Sequence, residues 1–369
     1  MFEEARSGLT LTDAWSAGRP LAVGGVSTTL PDLVHLPVTQ RSRNNQMALA
    51  ALLPIRTAIE ECIARFGPGR IGIVLGTSTS GIADTENALR AQHVHGTLPA
   101  TFHYAQQEMG SLAALLTHEL GISGPAYVHS SACASAAKAM ASAARLLRMG
   151  VCDAVISGGV DTLCAFTIAG FSALDTISPT RSNPLSANRN GINIGEGAAL
   201  FLMSREPAAV ALCGWGEASD GYHMSAPDPT GSGARLAITQ ALTRAGLQPE
   251  QIDYINLHGT GTLQNDAMES HVVHDLFGTD VTVSSTKPFT GHTLGAAAAI
   301  EAGLCWLALQ PDNTTGILPP HLWDGEADPA LPRLRIAEPG ARLGRPLRYA
   351  LSNSFAFGGA NATLILGQT

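Results

Sequence analysis

Short, uninterrupted apolar runs alternate with helix-length segments along this chain, and that alternation limits the folds open to it. The runs are Ile71–Leu75, Ala126–Val128, Ala154–Ser157, Ala198–Met203, Tyr254–Leu257 and Val281–Ser284, with Arg348–Leu351 and Ala362–Leu366 closing the chain. Ala211–Gly216 reads as a further strand. A strand that is apolar at every position is buried on both faces, which is the habit of parallel-rich sheets covered by helices. The intervening segments carry helical spacing: Met47–Phe66 ended by Gly67-Pro68-Gly69, Ser111–Leu120, the alanine-rich stretch to Met149, Ser232–Ala245, Ala267–Phe277 and Ala296–Leu309. Met1–Gly8 reads as a short helical piece, and Thr176–Asn193 as polar and irregular. Two such series in tandem predict two similar α/β halves joined near residues 204–232.

Composition narrows the function. The 369 residues are 45% hydrophobic and 14% charged, enough for a large core. A net charge of −8 argues against nucleic acid as a partner, and an acidic protein partner would need a local arginine patch. Six cysteines are scattered without a CxxC pair or zinc spacing, which predicts reduced thiols and a cytoplasmic location. No apolar run reaches membrane-spanning length. Gly76-Thr77-Ser78-Thr79-Ser80-Gly81 is a small-residue loop after a strand, but it lacks the Lys-Ser/Thr ending of a phosphate cradle.

Three stretches at strand ends carry reactive groups. Cys133, in Val128–Ala137, sits between a strand and the start of a long helix, where orphan N–H groups and the helix dipole favour a thiolate. His258 follows the strand at Tyr254, in His258-Gly259-Thr260-Gly261-Thr262. Lys287, one of only two lysines, and His292 lie in Ser285–His292, before another helix. Active sites of α/β sheets gather at the carboxyl ends of strands. Each residue alone also reads as structural: a buried small thiol, a hydrogen-bonding histidine, a surface lysine before a proline. The other ten of the twelve histidines are read as structural.

In this order the motifs resemble the β-ketoacyl-acyl-carrier-protein synthases of the thiolase superfamily. Ser131-Ala132-Cys133-Ala134-Ser135 resembles the nucleophile motif, His258–Thr262 the first histidine motif, and Lys287 through His292 the lysine and second histidine motif. Asn353–Asn361 resembles the closing glycine-rich loop. The resemblance implies a thiolase-like αβαβα fold, with a nucleophile-bearing half over residues 1–204 and a histidine-bearing half over 205–369. It implies decarboxylative condensation of a malonyl-carrier with an acyl group held on Cys133. Cys133 and Phe357 would form the oxyanion hole, His258 and His292 would hold the malonyl thioester, and Lys287 would position the second histidine region. Glu269 and Glu301 would be supporting carboxylates. Ile82 would line the acyl pocket, with Phe355, Ala356, Phe357 and Gly358 as its gate. Arg41, Arg43 and Arg181 would dock the acidic acyl carrier protein. No metal or other cofactor is implied. A dimer is, either with an identical chain or with a second ketosynthase-like subunit.

A second histidine, where related condensing enzymes have asparagine, points to the chain-elongating type. Asn183–Gly197 resembles the version in ketosynthases of bacterial aryl polyene clusters. Two features depart from the family. Its usual first strand is missing ahead of Met1–Gly8, and Ala356 stands where glycine is usual, which predicts a stiffer loop. A thiolase-type acyltransferase and a non-catalytic chain-length-factor-like subunit are the rival readings.

Overall fold

The computed structural model describes residues 5–16 and 18–369. Two short strands open it, β1 (Thr10–Thr12) and β2 (Leu21–Val23), paired antiparallel as a separate ribbon. Helix α1 (Arg43–Leu52) starts at Ser42, whose hydroxyl accepts from the Asn45 N–H, and α2 (Arg56–Phe66) follows. The single helix expected over 47–66 is thus divided by a 3-10 turn at Leu53–Ile55. Pro54 supplies no N–H to continue the ladder.

The rest of the first half is β3 (Ile71–Gly76), α3 (Ile82–His95), α4 (Ser111–Leu120), β4 (Ala126–His129), α5 (Ser135–Arg148), β5 (Ala154–Asp161), α6 (Ala165–Ala173) and β6 (Gly197–Ser204). Strand β5 runs four residues past the expected Ser157, through Gly158-Gly159, because β3 and β6 supply ladder partners on both sides. The second half is β7 (Val210–Ser219), α7 (Ser232–Ala245), β8 (Tyr254–Asn256), α8 (Leu263–Phe277), β9 (Thr282–Ser284), α9 (Lys287–Thr290), α10 (Ala297–Ala308), β10 (Arg335–Ile336), β11 (Tyr349–Ala356) and β12 (Ala360–Gln368). The closing hairpin is longer than expected, so Phe355 and Ala356 belong to a strand.

The sheet orders are β4-β3-β5-β6 and β10-β9-β8-β11-β12-β7. In the first, β4, β3 and β5 run parallel and β6 returns antiparallel; in the second, β10, β9, β8 and β11 run parallel and β12 returns antiparallel. Helices α5 and α10 pack on each other between the sheets. Helices α1 and α4 cover one outer face and α7 and α8 the other. This is the expected five-layer αβαβα arrangement of mixed sheets. Beyond β12 lies β7, whereas β6 is an edge strand among the described residues. The short helix expected over Met1–Gly8 is not formed by residues 5–8, and residues 1–4 lie outside the described set. Ser7 Oγ and the Gly8 N–H instead donate to Pro288 and Phe289 carbonyls in α9. No helix among the described residues is long and apolar enough to cross a membrane.

Gly76 ends β3 directly beneath the first turn of α5. A Cβ there would lie 2.3 Å from the Ala136 nitrogen and 2.6 Å from its Cα. Gly76→Ala is therefore expected to push the helix that follows Cys133, lowering stability by about 1–3 kcal/mol, as overpacking does. Urea unfolding checks this, and an unchanged midpoint contradicts it.

Candidate active site

Cys133 lies in the turn between β4 and α5, with 4% of its surface exposed. The turn is held in an unusual shape, since Ala132 has φ +47°. Ser135 fastens it: its hydroxyl donates to the Ala132 carbonyl at 2.6 Å and accepts the Ser131 N–H at 2.8 Å. The helix dipole does not make the resting sulfur a thiolate. Burial pushes the Cys133 thiol up to about 12, against the downward pull of Lys287 and of the Phe357 N–H that faces it. Desolvating an anion outweighs the partial charge of a helix end.

His258 follows β8, and its backbone is fixed by a buried carboxylate. Glu269 Oε1 accepts the His258 N–H at 2.8 Å and Oε2 accepts the Gly259 N–H at 2.7 Å, while Asn353 donates to Oε1 at 3.2 Å. His292 is fixed between strand-like neighbours: its N–H donates to the Asn193 carbonyl at 2.6 Å and its carbonyl accepts from Gly195 at 2.9 Å. Its Nε2 lies 2.9 Å from Cys133 Sγ. The two imidazoles stand edge to face, centroids 5.3 Å apart at 81°. Both are held neutral, well below the ordinary histidine range, first by burial and then by the positive Lys287. Lys287 is itself buried, and its Nζ pairs with Glu301 Oε1 at 2.5 Å. A buried, paired lysine is a fixed charge rather than a surface cation.

Phe355 lies edge-on to His258, centroids 6.3 Å apart, and Phe357 packs against Phe171 at 5.4 Å. These residues and Ala356 line the cavity above Cys133. Ala356 has φ −96°, and the left-handed positions fall on Gly358 and Gly359, so alanine costs this loop no backbone strain. Phe171, Asp220 and Asn265 also line the cavity and were not foreseen. They come from segments with no catalytic pattern, and only packing brings them there. Helix α6, which carries Phe171, has no polar face to mark it in the sequence.

Other expected site residues lie apart. Ile82 begins α3 and does not line this cavity. The Arg43 guanidinium, expected to face a carrier, is turned inward onto Glu196 at 2.5 and 3.0 Å and onto the Val26 carbonyl. Arg41 donates to the Val34 and Leu36 carbonyls, and Arg181 is exposed. Sequence proximity to a docking surface does not say which way a guanidinium folds.

The ligand atoms of Cys133, His258 and His292 lie within 4.8 Å of one another. A metal site normally has the second ring nitrogen of each histidine anchored. Here both Nδ1 atoms are buried with no hydrogen-bond partner among the described residues, so neither ring carries that anchor.

Burial also pushes the Glu269 carboxyl from 4.5 up to about 7. Between those values the folded protein binds the proton more than the unfolded chain does, so this group's contribution is full below 4.5 and is lost as pH rises toward 7. Glu269→Gln is expected to flatten that decline. Urea midpoints measured across the window check it, and an unchanged slope in the variant contradicts it.

Two family models cover most of the chain: the beta-ketoacyl synthase N-terminal domain over residues 56–209 and its C-terminal domain over 209–322. Nodulation protein E of Rhizobium sp. (strain N33) is 34% identical over 362 residues, spanning 94% of this chain and 88% of that protein. The 3-oxoacyl-[acyl-carrier-protein] synthase 2 of Synechocystis sp. is 33% identical over 80% of this chain and 74% of its own length. Among solved structures, a ketosynthase from Xenorhabdus doucetiae, in complex with its chain length factor, superposes with a TM-score of 0.92 at 44% identity, covering 98% of this chain and 90% of that one. With the same fold, and with this cysteine and two histidines gathered at its centre, the chain belongs to the β-ketoacyl synthase family.

Proposed function

We propose that this protein is a decarboxylating, carrier-dependent ketosynthase that extends an acyl chain held on Cys133 in fatty acid or polyketide synthesis. The observation that carries the reading is the 2.9 Å contact between Cys133 Sγ and His292 Nε2 beside His258, under the Phe357 N–H. In the first half-reaction the Cys133 sulfur attacks the thioester of an acyl-carrier. The carrier thiol leaves with the proton that Cys133 gives up, and the acyl group stays on sulfur. The N–H groups of Cys133 and Phe357 stabilise the tetrahedral oxyanion, each worth roughly 10²–10³ in rate.

In the second half-reaction a malonyl-carrier enters. With their protons on the nitrogens facing the substrate, His258 and His292 donate to its thioester carbonyl. The C–C bond to the carboxylate breaks, CO₂ leaves, and the electron pair is held as an enolate on that oxygen. The enolate carbon attacks the acyl-Cys133 thioester, and the thiolate leaves and is reprotonated. Neutral imidazoles suit this work: they donate hydrogen bonds without surrendering a proton to the nascent enolate. Glu269 and the Lys287–Glu301 pair hold the two histidine segments while charge builds up.

The remaining assignments support this scheme. Residues 1–204 carry the nucleophile and 205–369 the histidines. Phe355–Gly358 forms the gate, Ile82, outside the Cys133 cavity, borders the far end of the acyl tail, and the exposed Arg181 meets the carrier, while Arg43 stays turned onto Glu196. The half-exposed edge strand β4 pairs across a two-fold with a second ketosynthase-like subunit, as the X. doucetiae relative's complex with its chain length factor favours. The reaction runs in the cytoplasm.

The test incubates the purified protein, with and without such a subunit, with acyl-carrier and malonyl-carrier. CO₂ release matched by β-ketoacyl-carrier supports the reading. Acyl transfer to coenzyme A without CO₂ refutes it.

A further inference from the structure

The small-residue loop after β3, too incomplete for a phosphate cradle, cradles a carboxylate of the chain itself. Asp161, the last residue of β5, is fully buried and accepts six hydrogen bonds. Oδ1 takes the Thr77 hydroxyl at 2.6 Å, the Ser78 N–H at 2.7 Å, and the Thr79 N–H and hydroxyl, each at 2.9 Å. Oδ2 takes the Ser78 hydroxyl and the Gly295 N–H, both at 2.5 Å. All six partners are backbone N–H groups or hydroxyls. A carboxylate held only by such groups is positioned by geometry rather than by an opposite charge.

Gly295 is the informative partner. It lies three residues after His292, in the other half of the molecule. Between them Leu294 has φ +51°, a conformation that a branched side chain adopts at a cost. The Gly295 N–H is shared with Ser78 Oγ at 3.2 Å, and a Cβ on Gly295 would lie 2.7 Å from Asp161 Oδ2 and 2.8 Å from the Ser78 nitrogen. The segment is thus drawn tight against the cradle. On its other side, His292 is held by Asn193 and Gly195.

We infer that Asp161 is a positioning residue for His292: it clamps the strained turn behind that histidine to the Thr77–Thr79 loop and so sets the imidazole against Cys133. This rests on the condensation chemistry proposed above. Asp161 does not touch substrate. Its negative charge also reaches Cys133, where, together with Glu301 and against Lys287, it opposes the thiolate.

Asp161→Asn keeps the volume but turns an amide donor toward groups that are themselves donors. The expected result is a fall of about 10²-fold in kcat for condensation, the scale of an ångström-size misplacement, with KM for malonyl-carrier little changed and the acyl adduct on Cys133 still formed. Ser78→Ala, which removes one donor and leaves the charge, is expected to fall less and in the same pattern. It stands in if Asp161→Asn does not fold. A second readout needs no carrier. The pH midpoint for alkylation of Cys133 by iodoacetamide is expected to drop in Asp161→Asn and to stay put in Ser78→Ala. Unchanged kcat in folded Asp161→Asn, or loss of adduct in step with condensation in both variants, overturns the inference. A wild-type protein that forms no adduct refutes the ketosynthase reading instead, while the alkylation midpoints still report on Asp161.

Discussion

Cys133→Ala is expected to yield a folded protein that takes up no acyl group. Intact-mass measurement after incubation with acyl-carrier should show the adduct on the wild type alone. Condensation should fall on the order of 10⁴-fold or more, the scale seen when a covalent nucleophile is deleted. The loss is this large because no substitute is at hand: of the six cysteines, only Cys133 lines the cavity. The others are partly or fully buried elsewhere and are all unpaired. Removing the sulfur leaves a small void beside His292 and little else, so the thermal midpoint should move by no more than a few degrees, the range of about 1 kcal/mol. An equal adduct on the variant would falsify the assignment of Cys133.

His292→Ala separates the two half-reactions. The acyl adduct should still form, because Cys133, the Phe357 N–H and the α5 start are untouched. Release of CO₂ from malonyl-carrier should fall by about 10²–10³, the cost of one hydrogen-bond donor to a developing oxyanion. His292 is buried, with 2% of its surface exposed, so water replaces the lost N–H poorly. His258→Ala should behave alike, since the rings stand 5.3 Å apart and in the proposed reaction donate to the same oxygen. CO₂ release and adduct mass measured on one preparation check both. Undiminished condensation in either variant contradicts the paired role.

Much of this was legible in the residues themselves. A buried parallel strand is mostly apolar, and so β3, β8 and the start of β5 were visible as runs. Helix α5 was visible because alanine is a strong helix former. The three reactive loops were visible because carboxyl ends of strands are where such sheets put their chemistry. Helices α3 and α6 were not foreseen. Their apolar residues do not gather on one face, as those of α5 do, and neighbours rather than pattern stabilise them. Strand β5 looked shorter than it is, because Gly158-Gly159 reads as a turn until β3 and β6 flank it.

Charge and protonation were the least legible. Lys287 could be read as a surface lysine or a catalytic one, and only its burial against Glu301 separates the two. Arg43 had the charge for docking but is spent on Glu196. The Cys133 thiolate, argued from a helix start, gave way to a thiol, because burial costs an anion more than a helix end returns.

By itself, then, the sequence determined which atoms are available and in which order they come: a small-residue turn around Cys133, two histidine loops, a lysine and a glycine-rich close, on two tandem α/β series. Local pattern suffices for that, since strand, helix and turn each follow from nearest neighbours along the chain. Only the tertiary structure decided that His292 Nε2 stands 2.9 Å from Cys133 Sγ, that both imidazoles are neutral, and that Asp161 of one half holds the turn behind His292 in the other. Those facts depend on burial and on distances between segments more than a hundred residues apart, and neither is written in any local stretch of the chain.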